Sequence, residues 1–307
     1  MVKLADLAQE ELFASGHRLC AGCGPAVAMR MLTKAFRGPT IVTNATGCVE
    51  VGSTIYPYTC WRIPWVHSAF ENSASTASGI EGALKALRKR GAVREKIDVV
   101  AIGGDGGTFD IGIQALSGAL ERRHDFLYVC YDNEAYMNTG VQRSGATPYG
   151  ASTTTSPAGK VIPGKVGWKK DLAAIVAAHG APYVATASIA YWNDYITKVR
   201  KGIEVEGPAF VHVYAPCPLG WRTPSDVTIQ LAQLAVQTRI FPLYEIIEGR
   251  YVLSMDVPKP KPVEEYLKIQ GRFKHLLAPE YKDEIATIQA QVDRRWENLK
   301  SLCSRQA

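Results

Sequence analysis

Hydrophobic positions along this chain follow two periods, and their alternation organises the reading. Residues 98–102 carry Val99, Val100, Ala101 and Ile102 as a continuous apolar run, the pattern of a strand buried on both faces. Residues 103–108 break it with glycine. Residues 110–122 resume with Ile113, Leu116 and Leu120 at helical spacing, and residues 126–131 form a second apolar run. Strand, helix, strand in that order predicts parallel pairing through a right-handed crossover. Asp105 and Asn133, each just past a strand, then meet at one carboxyl edge of the sheet, where open α/β folds hold ligands.

The same periods recur on either side. Helices are predicted over residues 5–14, 26–35, 73–89, 172–179, 192–202, 226–238, 263–275 and 284–302, and strands over 40–44, 183–187 and 209–215. Pro25 stands just inside the start of one helix, where a missing N–H costs nothing. Residues 73–89 are rich in Ser, Ala and Gly, which permits close approach of another backbone or a ligand. Residues 56–70 read as an aromatic, proline-bearing loop. Residues 138–167 read as a long polar loop, a length that in a compact domain marks function. The fold class is α/β, a mostly parallel sheet with helices on both faces. Residues 1–240 are expected to form the ligand-bearing domain and residues 241–307 a helical arm for subunit contacts.

Composition narrows the picture. The 307 residues are 47% hydrophobic, enough for a full core. The net charge of +6 is spread without an Arg/Lys block, so no nucleic-acid partner is expected. A mild excess of that sign would attract an acidic electron-carrier protein. No apolar run approaches the roughly 18 residues of a membrane helix. Lys3, Asp6, Glu10 and Glu11 stand where a signal peptide would be apolar. The expected location is the cytoplasm, where seven cysteines point to metal ligands or buried thiols rather than disulfides.

Two motifs carry chemistry. In Gly104-Asp105-Gly106-Gly107, glycines let backbone N–H groups approach a diphosphate at a helix start. A carboxylate there repels phosphate unless a cation intervenes, so Asp105 argues for Mg²⁺ or Ca²⁺, with Asn133 supplying an amide oxygen. The 26 residues between Gly106 and Asn133 hold one helix and one strand. The alternative is a tight turn with Asp105 as a helix cap; a dinucleotide site would need Gly-x-Gly-x-x-Gly, which is not present in its usual form.

The second motif is a cysteine set. Cys20 and Cys23 offer two thiolates from one turn, and Cys48 and Cys217 lie singly in glycine- or proline-bearing turns. A [4Fe–4S] cluster takes four thiolates. Structural zinc is the rival, although its four-cysteine sites generally have a second close pair, and unrelated thiols are a third reading. Cys130, in an apolar strand, and Cys60, beside Trp61, read as small buried hydrophobes. Cys303 has no neighbouring cysteine. His67, Glu71, Gln142 and Arg143 are polar groups near the expected pocket, read as structural or pocket-lining. Residues 153–155, all threonine, read as loop structure or subunit contact.

Taken together, residues 16–25, 44–48, 103–108, 131–144, 146–150 and 216–221 resemble the β subunit of the 2-oxoacid:ferredoxin oxidoreductases, most closely the pyruvate type. The likeness runs from Gly16 to about His275. It implies a thiamine diphosphate-binding fold, with Mg²⁺ held by Asp105, Asn133 and the carbonyl of Ala135. Asn138 would face the cofactor from the same loop, and Gly47 and Thr46 would lie near the thiamine ring. It implies a proximal [4Fe–4S] cluster on Cys20, Cys23, Cys48 and Cys217. It further implies an α subunit that completes the cofactor site, a γ or δ subunit with ferredoxin-like clusters, and ferredoxin as electron acceptor. The implied reaction is oxidative decarboxylation of a 2-oxo acid, by default pyruvate to acetyl-coenzyme A and CO₂. Branched-chain acids, 2-oxoglutarate, or oxalate without coenzyme A are the alternatives. A non-redox thiamine diphosphate decarboxylase subunit with zinc is the rival from another class.

Overall fold

The computed structural model describes residues 3–159 and 161–304. Its strands are β1 (Thr40–Ala45), β2 (Trp65–Ser68), β3 (Asp98–Gly104), β4 (Leu127–Asp132), β5 (Tyr183–Ser188), β6 (Ala209–Tyr214), β7 (Tyr244–Ile247) and β8 (Arg250–Leu253). They form one sheet in the order β2-β1-β3-β4-β6-β5-β7-β8. The first six in that order run parallel, and β7 and β8 are antiparallel additions. The helices are α1 (Gly24–Ala35), α2 (Cys48–Ser53), α3 (Ser73–Lys89), α4 (Ile113–Glu121), α5 (Leu172–Ala177), α6 (Trp192–Glu204), α7 (Pro218–Trp221), α8 (Thr228–Gln237), α9 (Val263–Leu267) and α10 (Lys282–Ser304).

Period two along the strands builds the layers. On β3, Val100 and Ile102 pack with Met29 and Leu32 of α1 and Ile196 and Val199 of α6. Val99 and Ala101 point to the other face and pack with Ala77 and Leu84 of α3 and Leu116 and Leu120 of α4. The apolar runs read from the sequence are therefore strands covered on both sides. A third cluster, around Tyr214, Trp221, Tyr266 and Phe273, ties α7, α8 and α9 to the carboxyl end of β6. Gly104 pairs with Tyr131 across β3 and β4, so Asp105 and Asn133 leave the sheet side by side.

Several expectations change. Residues 5–14 are not a helix. A short turn at Leu4–Asp6 is followed by a bridge between Phe13 and Trp61, whose rings stack edge to face 4.9 Å apart. Burial of Phe13 outweighs local helix preference there. The loop expected over residues 56–70 ends in β2, a four-residue edge strand too short to show a period. Cys48 opens the six-residue α2, which the sequence reading passed over. The 263–275 helix stops at α9. A tighter turn, Gly271–Leu277, follows, because Gly271 lies so close to Arg222 that a Cβ would stand 2.7 Å from its Cβ. The segment 241–307 begins with the β7–β8 hairpin, which extends the central sheet, before its helices; α10 packs on β8 and α9.

Candidate functional site

β3 delivers Asp105 into a π-helical turn, Gly106–Ile111, that leads into α4. Space decides the glycines. A Cβ on Gly106 would stand 2.5 Å from Cδ1 of Tyr136, and one on Gly107 2.9 Å from the carbonyl oxygen of Phe70. Residues 104–107, 46–48 and 135–139 line one cavity with Phe70, Tyr131 and Asn133. Thr46, Gly47, Asn133, Ala135 and Asn138 thus all reach the glycine turn, with Asn138 exposed at its mouth.

Asp105 does not cap its turn. Its carboxylate accepts from the backbone N–H of Asn133 at 3.2 Å and from the Ser144 hydroxyl at 2.5 Å, and makes no bond to the turn's leading amides. Those amides keep the positive end of the turn open to an anion. One terminal atom of the Asn133 amide stands 2.9 Å from Oδ1 of Asp105 and 2.9 Å from the carbonyl oxygen of Ala135. With the amide in one orientation it donates to both. In the other, three oxygens converge with no proton between them, the donor set a hard cation prefers. Burial pushes the fully buried Asp105 carboxyl well above its ordinary range, with the Asp132 charge adding to it. A cation at the three oxygens would reverse that.

Glu134 turns the chain between two of these oxygens. Its φ of +67° is a left-handed conformation that costs a side-chain-bearing residue roughly 1 kcal/mol or more. A buried ionic network holds it. The Glu134 carboxylate pairs with Arg272 and, at 2.9 Å, with Lys169. Lys169 also pairs with Asp132, whose Oδ2 lies 2.7 Å from Nε2 of His212. Arg272 stacks 3.8 Å from the Trp221 ring, and the Trp221 indole N–H donates to the Asn133 carbonyl at 2.8 Å. Burial alone would raise Asp132, but Lys169 and His212 outweigh it and hold its carboxyl down to about 2. The sequence reading missed this network. Its members come from distant elements, and a lone lysine or histidine carries no local signal.

The cysteines assemble behind the cavity. The Cys23 N–H donates to the Cys20 carbonyl at 3.1 Å, closing the first turn. Gly22, at φ +69°, fits only as glycine, since a Cβ would stand 2.0 Å from the Ser225 oxygen. The Gly24 N–H donates to the Pro216 carbonyl at 3.1 Å, docking that turn onto the Cys217 loop. Cys217 Sγ accepts from the Gly220 N–H at 3.3 Å. Burial raises Cys23 to about 12, with Cys217 and Cys20 adding to it. Burial also raises Cys48, again with Cys217, Cys23 and Cys20 adding, so all four thiols lie within electrostatic reach of one another.

The buried Cys23, Cys48 and Cys217 thiols, all raised by burial, stay protonated at neutral pH unless a metal compensates the thiolates. Among the described residues, no three His, Cys, Asp or Glu side chains converge on a point where one ion could touch them all. Cys48 also lines the cavity, and the buried Tyr131 ring lies against both Gly47 and Gly104.

The remaining cysteines fall elsewhere. Cys60 and Cys130 are core residues, and Cys303 packs on the α3–α4 face. Gln142 closes the Tyr136–Gln142 turn through Thr139, and the Thr155 hydroxyl accepts from the Arg143 N–H at 2.9 Å. Thr154 N–H donates to the Val141 carbonyl at 3.0 Å, so the threonine run holds the loop together. No helix among the described residues is long and apolar enough to cross a membrane.

Comparisons with known proteins show the family and the fold. Residues 45–213 match the family model described as thiamine pyrophosphate enzyme, C-terminal TPP binding domain. The chain is 57% identical to pyruvate synthase subunit PorB of Methanocaldococcus jannaschii, covering 94% of this chain and 96% of that one. It is 48% identical to ketoisovalerate oxidoreductase subunit VorB of Pyrococcus abyssi, covering 95% and 94%. Among solved structures, a 2-oxoglutarate:ferredoxin oxidoreductase from Magnetococcus marinus shares the fold at a TM-score of 0.55 and 21% identity, covering 76% of this chain and 80% of that one.

Proposed function

Because the chain belongs to the β subunits of the 2-oxoacid:ferredoxin oxidoreductases, we propose that it acts on pyruvate, with Mg²⁺ in the cavity and a [4Fe–4S] cluster on its four gathered cysteines. The chain is a subunit of a thiamine diphosphate-dependent 2-oxoacid oxidoreductase. The observation that carries the detailed reading is that Cys48 belongs to both the cysteine set and the cavity wall.

When bound, thiamine diphosphate supplies the electron sink for decarboxylation, and the cluster takes electrons singly. The chain's own share is binding and orientation. The turn amides after Asp105 would receive the diphosphate. Asp105, Asn133 and the Ala135 carbonyl hold the cation, and the Glu134 network keeps the last two in register. Cys20, Cys23, Cys48 and Cys217 hold the cluster, and Tyr131 keeps water out between the two sites. Asn138 and Thr46 line the same cavity and would face the bound thiamine diphosphate.

An α subunit completes the cofactor site, a γ or δ subunit carries electrons on to ferredoxin, and coenzyme A takes the acyl group. The outer surface of residues 241–307 contributes to subunit contacts, and the complex works in the cytoplasm. Pyruvate is favoured because the pyruvate synthase relative is the more similar of the two named above, 57% against 48% identical. The test is anaerobic viologen reduction by the native complex with a panel of 2-oxo acids and oxalate, each with and without coenzyme A. Turnover of pyruvate that needs coenzyme A is expected. Preference for a branched-chain acid, or turnover of oxalate without coenzyme A, would replace the substrate and keep the cofactor assignment.

A further inference from the structure

The turn at residues 144–147 is wedged between the two halves of the three-oxygen set. Ser144 and Thr147 are fully buried. The Ser144 hydroxyl donates to Oδ2 of Asp105 at 2.5 Å, and the Thr147 hydroxyl donates to the Glu134 carbonyl at 2.6 Å. The turn thereby joins the segment after β3 to the segment after β4. Other bonds fix where each proton points. The Thr147 oxygen accepts from the Ser144 N–H at 2.9 Å, and the Ser144 oxygen accepts from the Ala146 N–H at 3.1 Å. The Thr147 proton is committed to Glu134, which leaves Asp105 as the acceptor for the Ser144 proton. The turn itself is held from outside. Nζ of the buried Lys165 donates to the carbonyls of Thr147 at 2.5 Å and Ser144 at 3.2 Å, and the Gly145 N–H donates to the Asp110 carboxylate at 2.7 Å.

The two oxygens of Asp105 therefore have different neighbours. Oδ1 belongs to the oxygen set with Asn133 and Ala135, whereas Oδ2 accepts the Ser144 hydroxyl. A carboxylate held this way offers a cation one oxygen; offering both would break the Ser144 bond. That constraint separates the two ions that the sequence leaves open. Mg²⁺ demands a small, near-octahedral shell of single oxygens, whereas Ca²⁺ takes larger, flexible shells in which a carboxylate binds through one oxygen or both. We propose that Ser144 determines ion specificity: by holding Oδ2 it confines Asp105 to one-oxygen coordination and favours Mg²⁺ over Ca²⁺. Ser144 acts through Asp105 and is a positioning residue. Thr147 has a different task. It ties the same turn to the Glu134 carbonyl, between Asn133 and Ala135, and so sets the spacing of the oxygens for either ion. The inference rests on the reading that a divalent cation sits at Asp105, Asn133 and Ala135.

The test uses the native complex, stripped of divalent ions and thiamine diphosphate, with Ser144→Ala, Ser144→Cys and Thr147→Val, and with Asp105→Asn in parallel. Mg²⁺ and Ca²⁺ are titrated separately at fixed thiamine diphosphate, and cofactor binding is read by tryptophan fluorescence. In Ser144→Ala the ratio of Mg²⁺ to Ca²⁺ affinity should fall about 10-fold or more, with the loss on the Mg²⁺ side. Ser144→Cys keeps the shape with a weaker donor, so its ratio should fall in the same direction by less. That variant carries the test alone where Ser144→Ala does not assemble. Thr147→Val should weaken both ions alike and leave their ratio unchanged. An unchanged ratio in the Ser144 variants, or an equal loss of both ions, would overturn the assignment, because a merely structural serine does not distinguish the ions. A ratio that moves as far in Thr147→Val as in Ser144→Ala would overturn it too. Retention of ion-dependent cofactor binding by Asp105→Asn would overturn the underlying reading and the inference with it.

Discussion

At Asp105 one carboxyl meets two opposing demands. Folding buries it completely and raises its proton affinity, whereas cation binding needs it ionised. Replacing it by asparagine keeps the shape and removes the charge. Asp105→Asn should weaken Mg²⁺-dependent thiamine diphosphate binding by about 100-fold or more. The apo chain should unfold at the same temperature or higher, because a neutral amide costs less to bury. The cysteines offer the complementary cut. Cys217→Ala should lose cluster iron and the visible absorbance while leaving cofactor binding in place. Iron content unchanged in that variant would remove Cys217 from the ligand set.

The elements hold these residues through charge as much as through packing. Lys169, from the long loop before α5, sits between Asp132 and Glu134 after β4. Lys169→Met would leave two buried carboxylates short of a partner and should cost about 3–5 kcal/mol, read by urea unfolding. A second pair joins α3 to the turn after α4. Glu81 lies 2.8 Å from Nδ1 of His124 and 2.6 Å from Lys85. Burial raises this carboxyl, but His124 and Lys85 outweigh it and hold it below 4.5. A lowered carboxyl adds stability above its unfolded pKa and loses it as pH falls through the folded one. Glu81→Gln should therefore be about 1–2 kcal/mol less stable at pH 7, with the gap closing below pH 4.5. An equal gap at both pH values would mean that the pair does not carry the charge effect.

At the scale of the whole molecule, the proposed function gives this chain one side of a cofactor site that an α subunit completes. Asn138 and Thr139 are exposed at the cavity mouth, and Tyr56 and Tyr58 stand 93% and 74% exposed nearby in chain from α2. If an α subunit supplies the other side, the isolated chain should bind Mg²⁺–thiamine diphosphate about tenfold or more weakly than the complex. Calorimetry on the chain alone and on the complex would measure the difference. Equal affinity would mean that this chain closes the site by itself.

Much of this protein was legible in its sequence because the informative signals are local. Apolar runs became β3 and β4, since a strand covered on both faces has no polar alternation. The glycine turn and the Cys20–Cys23 pair announced themselves because backbone crowding excludes other residues there. Other features depend on distant partners and leave no local mark. Phe13 bridges Trp61 instead of forming a helix, β7 joins the sheet through β5, and Arg272 and Lys169 reach Glu134 from distant parts of the chain. The chain alone thus determined its α/β class and which residue types could bind metal and diphosphate. Tertiary structure decided that Cys48 serves the cavity and the cysteine set together, and that Ser144 meets Asp105, because only folding sets distances between residues far apart in sequence.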